Sequence, residues 1–268
     1  MTTAAIAAPA LELAPAAGRL LGRDEPTVFV VPAYNEEENL PRLFTELARR
    51  PEVRRPSSRV LVVDDGSEDG TPELVASYRG PLAVELIRLE RNQGPGAAFR
   101  AGFRAALDRC GERGLVVTLE ADSTGDLSAL PEMLDRARSS ADLVLAAWVM
   151  ENVSFRRRFL SEGAGLVVRV LLGLKARTVS SFFRVYRAEA LQTGFDRFGD
   201  DLIREQGFAC KAELLAKLTG LGARVEEVPV ALDTSKRVGK SKMPVARTMA
   251  AYWRMMARQL FARGPAGP

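Results

Sequence analysis

Apolar residues along the chain gather in short unbroken runs, each followed by a stretch that mixes apolar and charged positions. The runs are TVFVVP (27–32), RVLVVDD (59–65), LAVELIRL (82–89), GLVVTLE (114–120) and DLVLAAWV (142–149). The intervening stretches EEENLPRLFTELARR, PELVASY, GPGAAFRAGFRAALDRC and LSALPEMLDRARS read as amphipathic helices. Strands that are apolar at consecutive positions, not only at alternate ones, are buried on both faces. The pattern therefore predicts an α/β fold with a mostly parallel central sheet flanked by helices. In such sheets ligands sit beyond the carboxyl ends of the strands.

Those ends are where polar residues appear: Tyr34-Asn35-Glu36, Asp64-Asp65, Arg91-Asn92 and Glu120 with Asp122. The stretch VVTLEADSTGDL (116–127) passes from apolar strand straight into Glu120, Asp122 and Asp126. Acids two residues apart at a strand end share a face and can hold one divalent cation. The same acids also suit an Asx-type loop cap. Familiar nucleotide motifs do not account for them. GPGAAF places Phe99 where the third glycine of a dinucleotide fingerprint belongs, and no GxxxxGK[ST] loop occurs.

Composition narrows the chemistry. The 268 residues, 47% of them apolar, are ample for a large core. The chain has no histidine, which excludes His-based catalysis and His metal ligation and leaves carboxylates, Lys/Arg, hydroxyls or a metal. Cys110 and Cys210 are the only cysteines, so a disulfide framework is excluded and a reducing, cytoplasmic compartment is expected. From Thr234 onward there are eight Lys/Arg and no acid, leaving the preceding 233 residues at −4 against +4 for the whole chain. A basic tail on an acidic body points to an anionic partner. Nucleic acid is not expected, because no helix-turn-helix or RNP-like pattern is present. Residues 1–25, rich in Ala and Pro, read as a flexible leader. Residues 244–268 read as a basic amphipathic helix with Val245, Met249, Tyr252, Trp253, Met256 and Leu260 near one face. That face suits a peripheral membrane contact or packing on the domain. AGLVVRVLLGL (164–174) falls short of the roughly 20 apolar residues a spanning helix needs.

Taken together, the motifs resemble the family 2 glycosyltransferases of the GT-A fold, and the likeness runs from about Val28 to Met243. It implies a catalytic domain over residues 26–243. Pro32, Tyr34 and Glu36 of VVPAYNEEENL would contact base and ribose, and Asp64 and Asp65 of VVDDGSEDGT would hold the base. RNQGPGAAFRAGF, with Arg91, Gly94 and Gly96, resembles the turn before the third helix on the nucleotide-sugar side. Glu120 and Asp122, with Ala121 between them, stand where the family has Asp-x-Asp. By that likeness they would grip Mg²⁺ or Mn²⁺ and, through it, the diphosphate of a GDP- or UDP-linked sugar.

The second half, in FRRRFLSEGAGLVVRVLLGL, SSFFRVYRAEAL and EEVPVALDTSKRVGKSKM, resembles dolichol-phosphate mannose synthase and its bacterial polyprenyl-phosphate relatives. Arg157 or Arg158, Ser161, Arg184 and Lys242, with Lys236 in place of an Arg, then match the acceptor-phosphate end. The chain departs from the pattern at Glu120 (for Asp), Thr124 (for Gln), Trp148 (for Arg) and Phe182 (for Gly), which bears on metal ligation and on the sugar or acceptor pocket. A lipid phosphate is already an anion and needs only positive residues. A hydroxyl acceptor would need a carboxylate base. FGDDLIREQGF offers Asp200, Asp201 and Glu205 for that role, with Asp201 the candidate catalytic acid; acids there equally suit a helix N-terminus. The resemblance implies one inverting sugar transfer to a polyprenyl phosphate, with glycosylation of a small-molecule hydroxyl as the alternative.

Overall fold

The computed structural model describes residues 13, 20–22, 24–149, 178, 181–233, 238 and 245–262; from 245 on, side chains are described for 248–255 and 258. Its strands are β1 (Thr27–Ala33), β2 (Ser58–Asp64), β3 (Val84–Arg88), β4 (Leu115–Thr118), β5 (Leu143–Val149), β6 (Arg184–Arg187) and β7 (Val225–Ala231). Its helices are α1 (Leu40–Ala48), α2 (Thr71–Ala76), α3 (Pro95–Cys110), α4 (Leu130–Ser139), α5 (Ala188–Phe198), α6 (Cys210–Gly220) and α7 (Val245–Ala262). One sheet of order β3-β2-β1-β4-β6-β5-β7 runs through the domain. All pairings are parallel except the two made by β6.

Each apolar run became a strand, and the side-chain period of two explains why. Val28 and Val30 of β1 pack with α3 residues Phe99 and Phe103 on one face of the sheet. Phe29 and Val31 pack with Leu40, Leu43 and Met133 of α1 and α4 on the other. Both faces are covered, so alternation is unnecessary. The helices α1 to α4 each carry proline in the first turn, where its missing N–H costs no hydrogen bond. The opening acids of EEENLPRLFTELARR accordingly precede α1, which starts at Leu40, one residue before Pro41.

The antiparallel β6 was not legible in the strand–helix rhythm. It lies between β4 and β5 with Thr118 opposite Arg184 and Leu115 opposite Arg187. Because it runs backwards, its first residue, and Phe182 just ahead of it, lie at the carboxyl edge of β4. The order reverses at β1, which has β2 on one side and β4 on the other. That switch point opens a crevice between the loops following β1 and β4.

Candidate active site

The crevice is a cleft of about 810 Å³ at that edge. Its floor is built by three loops. After β1, Asn35 takes a positive φ of 52° and its backbone N–H donates to Ser67 Oγ, while its Oδ1 accepts from Glu68 N–H. The Glu36 N–H donates to Thr71 Oγ1, and Asn39 Nδ2 donates to Glu36 Oε2 at 2.7 Å. These bonds hold Pro32, Tyr34 and Glu36 in the cleft wall.

After β2, the two adjacent acids separate. Asp65 lines the cleft, and its carboxylate accepts the N–H of Gln93 at 2.8 Å and of Gly94 at 2.7 Å. Burial pushes its carboxyl above the ordinary value, against the pull of those two donors. Gly94 turns into α3 at φ 91°, a conformation that favours glycine. Asp64 is fully buried beneath: it accepts Ser67 N–H at 3.0 Å and pairs with Arg88 at 3.3 Å. Of the two acids expected at the base, Asp65 alone lines the cleft, and Asp64 braces the turn from below.

After β4 come the two acids of LEADST. Thr124 Oγ1 lies 3.1 Å from Glu120 Oε2 and 2.8 Å from Asp122 Oδ1, so one hydroxyl ties the carboxylates together. Ser123, at φ 55°, makes the bend that brings Thr124 back. Glu120, Ala121 and Asp122 all line the cleft. Asp126 is not part of the group; it caps the short 3₁₀ turn Leu127–Ala129 by accepting Ser128 N–H. An all-oxygen pair held this close fits a hard cation such as Mg²⁺ or Mn²⁺, although no cluster of three acidic ligands forms among the described residues.

Several expected site residues lie elsewhere. Arg184 is 1% exposed and does not reach the cleft; its guanidinium donates to the carbonyls of Ser181 and Lys211, because the reversed β6 points it into the core. Asp201 is exposed outside the cleft and pairs with Arg204. Arg91 is exposed and also outside the lining. Gly96 contributes closeness instead of contact: a Cβ there would sit 2.0 Å from the Glu205 carbonyl oxygen. Trp148 packs over Gly125 and Phe183, behind the cleft. Arg157, Arg158, Ser161, Lys236 and Lys242, and the apolar run 164–174, lie outside the described residues.

Phe182, named from sequence as bearing on the pocket, faces the cleft, stacked on Phe99 with ring centroids 5.0 Å apart. Behind that ring Lys211 is buried, its ammonium 3.7 Å from the Phe182 centroid and 5.6 Å from that of Phe208. Burial pulls its pKa down to about 8, opposed by the nearby Glu120 charge. A single lysine on the apolar face of GFACKAELL was the available signal. Helix α7 closes the far side through Thr248, Ala251, Arg254 and Arg258. Ala251 and Met255 are buried against the domain, while Met249 and Trp253 face outward. Among the described residues, no helix is long and apolar enough to cross a membrane.

A sheet of this order, with acids and a glycine turn gathered at the switch point, defines a nucleotide-diphosphosugar transferase domain of the GT-A type. The family model for glycosyl transferase family 2 matches residues 28–195. The chain belongs to that family and is a glycosyltransferase. It is 32% identical over 220 residues to the undecaprenyl-phosphate mannosyltransferase of Micrococcus luteus, covering 80% of this chain and 86% of that one. It is 30% identical over 250 residues to the polyprenol monophosphomannose synthase of Mycolicibacterium smegmatis, covering 89% and 90%. Among solved structures, glucosyl-3-phosphoglycerate synthase of Mycobacterium tuberculosis, in complex with Mn²⁺, UDP and glucosyl-3-phosphoglycerate, superposes with a TM-score of 0.62 at 19% identity, over 94% of this chain and 82% of that one.

Proposed function

We propose that the protein transfers one sugar, with inversion, from a nucleoside-diphosphate sugar to a polyprenyl phosphate, with Glu120 and Asp122 holding a divalent cation. The observation that carries this reading is the Thr124-bridged acid pair, sharing one cleft with Pro32, Tyr34, Glu36 and Asp65. Mg²⁺ or Mn²⁺ at the pair would neutralise the charge that grows on the departing diphosphate. The chain's own part is to fix the nucleotide, hold the two carboxylates ready and orient the acceptor for attack from the opposite side of the anomeric carbon. The names of the two bacterial relatives favour a polyprenyl-phosphate acceptor. So does the placement of the acids considered as bases for a hydroxyl acceptor. Asp200 pairs with Arg104 and Asp201 with Arg204, both outside the cleft, and Glu205 is tied to two arginines. A phosphate acceptor requires no base. Outward-facing Met249 and Trp253 on α7 suit a peripheral contact with the membrane that carries such a lipid.

Calorimetric titration of UDP and GDP, with and without Mn²⁺, tests the donor half of this reading. Metal-dependent binding of one nucleotide supports it and identifies the donor class; metal-independent binding removes the role given to Glu120 and Asp122. Vesicle sedimentation of Trp253→Glu tests the membrane contact, since the exposed site tolerates the charge without unfolding.

A further inference from the structure

The far wall of the cleft holds an arrangement that the donor site does not use. Helix α7 buries Thr248, Ala251 and Met255, and this presents Arg254 and Arg258, one turn apart, to the cleft. Between them lies Glu205, whose side chain is 8% exposed; it pairs with Arg254 at 3.8 Å and directly with Arg258. Glu205 is held from behind. Its backbone N–H donates to Glu213, which is paired with Lys217, and the adjoining Gln206 carbonyl accepts Gly96 N–H at 2.7 Å. The arginine side chains are 61% and 42% exposed, so they have room to re-aim while the carboxylate stays. Two cations share one anion, so these three side chains carry one net positive charge, in the same cleft as Glu120 and Asp122.

We propose that Arg254 and Arg258 form a phosphate seat for which Glu205 is the resident counter-ion. A phosphate oxygen group entering the cleft takes the guanidinium donors that Glu205 occupies in its absence. Planar guanidinium forks match phosphate oxygens in a bidentate geometry, and each guanidinium has five N–H donors, so a remaining donor on Glu205 keeps the buried carboxylate paired while the phosphate is held. The phosphate could belong to the donor's diphosphate or to the lipid acceptor; the chemistry of the seat is the same for both. This proposal rests on the transferase reading above.

The test uses the full chain with Arg254→Gln, Arg258→Gln and Glu205→Gln. Binding of UDP and GDP with Mn²⁺, and separately of farnesyl phosphate, is measured for each, alongside thermal melting. The seat predicts opposite signs: each arginine variant weakens one of these ligands by about tenfold, the loss of a charge-assisted hydrogen bond, and Glu205→Gln tightens the same ligand. The ligand that responds identifies which phosphate occupies the seat. A purely structural latch between α7 and the domain predicts the same sign for all three variants, with lowered melting temperatures, and that result overturns the proposal. So do unchanged affinities in variants that fold normally. If the wild-type chain binds neither nucleotide nor farnesyl phosphate, the transferase reading fails along with the seat.

Discussion

Gly96→Ala is expected to damage the site although the glycine does not line the cleft. A Cβ at this position would lie 2.0 Å from the Glu205 carbonyl oxygen and 2.9 Å from Gln206 Cα. An ordinary C···O contact is about 3.3 Å, so the start of α3 and the 204–208 loop must separate by about 1.3 Å. Both sides are backbone, and neither can rotate away. The Gly96 N–H bond to Gln206 O would be lost in the process. Overpacking of this kind costs about 1–3 kcal/mol. The functional cost is larger, because the separation moves Gln93 and Gly94 relative to Asp65 and moves Glu205 relative to α7; a displacement of about 1 Å at reacting groups can cost on the order of a hundredfold in turnover. Urea unfolding reports the first effect, and turnover at saturating donor the second. Gly207→Ala is the control in the same loop, since nothing lies within 4 Å of the Cβ it would add. If Gly96→Ala matches that control in both measurements, the close approach does not constrain the cleft.

Asp122→Ala removes one arm of the acid pair; Mn²⁺ binding read by electron paramagnetic resonance should be lost while the melting temperature changes little, and retained Mn²⁺ affinity would exclude Asp122 as a ligand. Asp65→Ala strips the acceptors from Gln93 and Gly94 N–H, two charge-assisted bonds of about 1.5–3 kcal/mol each; the burial cost of the carboxylate offsets part of their sum, so urea unfolding should show a loss smaller than about 3–6 kcal/mol. Asp142, which accepts Arg224 N–H far from the cleft, has its carboxyl raised above 3.8 by burial. A raised acid binds its proton more tightly in the folded chain, so its contribution is present below 3.8 and lost as pH rises through the folded value. The stability of wild type relative to Asp142→Asn should therefore increase on going from pH 7 towards pH 4, and urea midpoints that converge or cross in the other direction would show the sign to be wrong.

The left half of the sheet could be read from the chain because its signals are local. Unbroken apolar runs such as FVV and VLVV, proline in the first turn of four helices, and a glycine turn ahead of α3 each report on their own segment. The same locality explains why Glu120, Asp122, Tyr34 and Glu36 could be assigned to one edge. Parallel strands must point their carboxyl ends the same way, so strand direction alone gathers them. Strand β6 escaped because it is only four residues long, RVYR, with a charge at each end and no unbroken apolar run. Only the pairing with β4 and β5 buries both arginines, and that pairing is a tertiary fact.

The placement of Arg184 follows from that one reversed strand. The arginine of SSFFRVYR is a candidate phosphate ligand by its place in the motif alone, with no strand direction read for it. Running against its neighbours, β6 sends Arg184 down onto the Lys211 carbonyl and leaves Phe182 at the cleft. Positive charge reaches the cleft from 70 residues further along the chain, with Arg254 on α7, which no spacing rule connects to Glu205. Motifs locate the acids because they stand at strand ends, whose direction the sheet imposes. The wall opposite is assembled from a loop and the C-terminal helix, and its charge balance exists only once they are packed together. That division explains why the acids of this cleft could be named from sequence while its arginines could not.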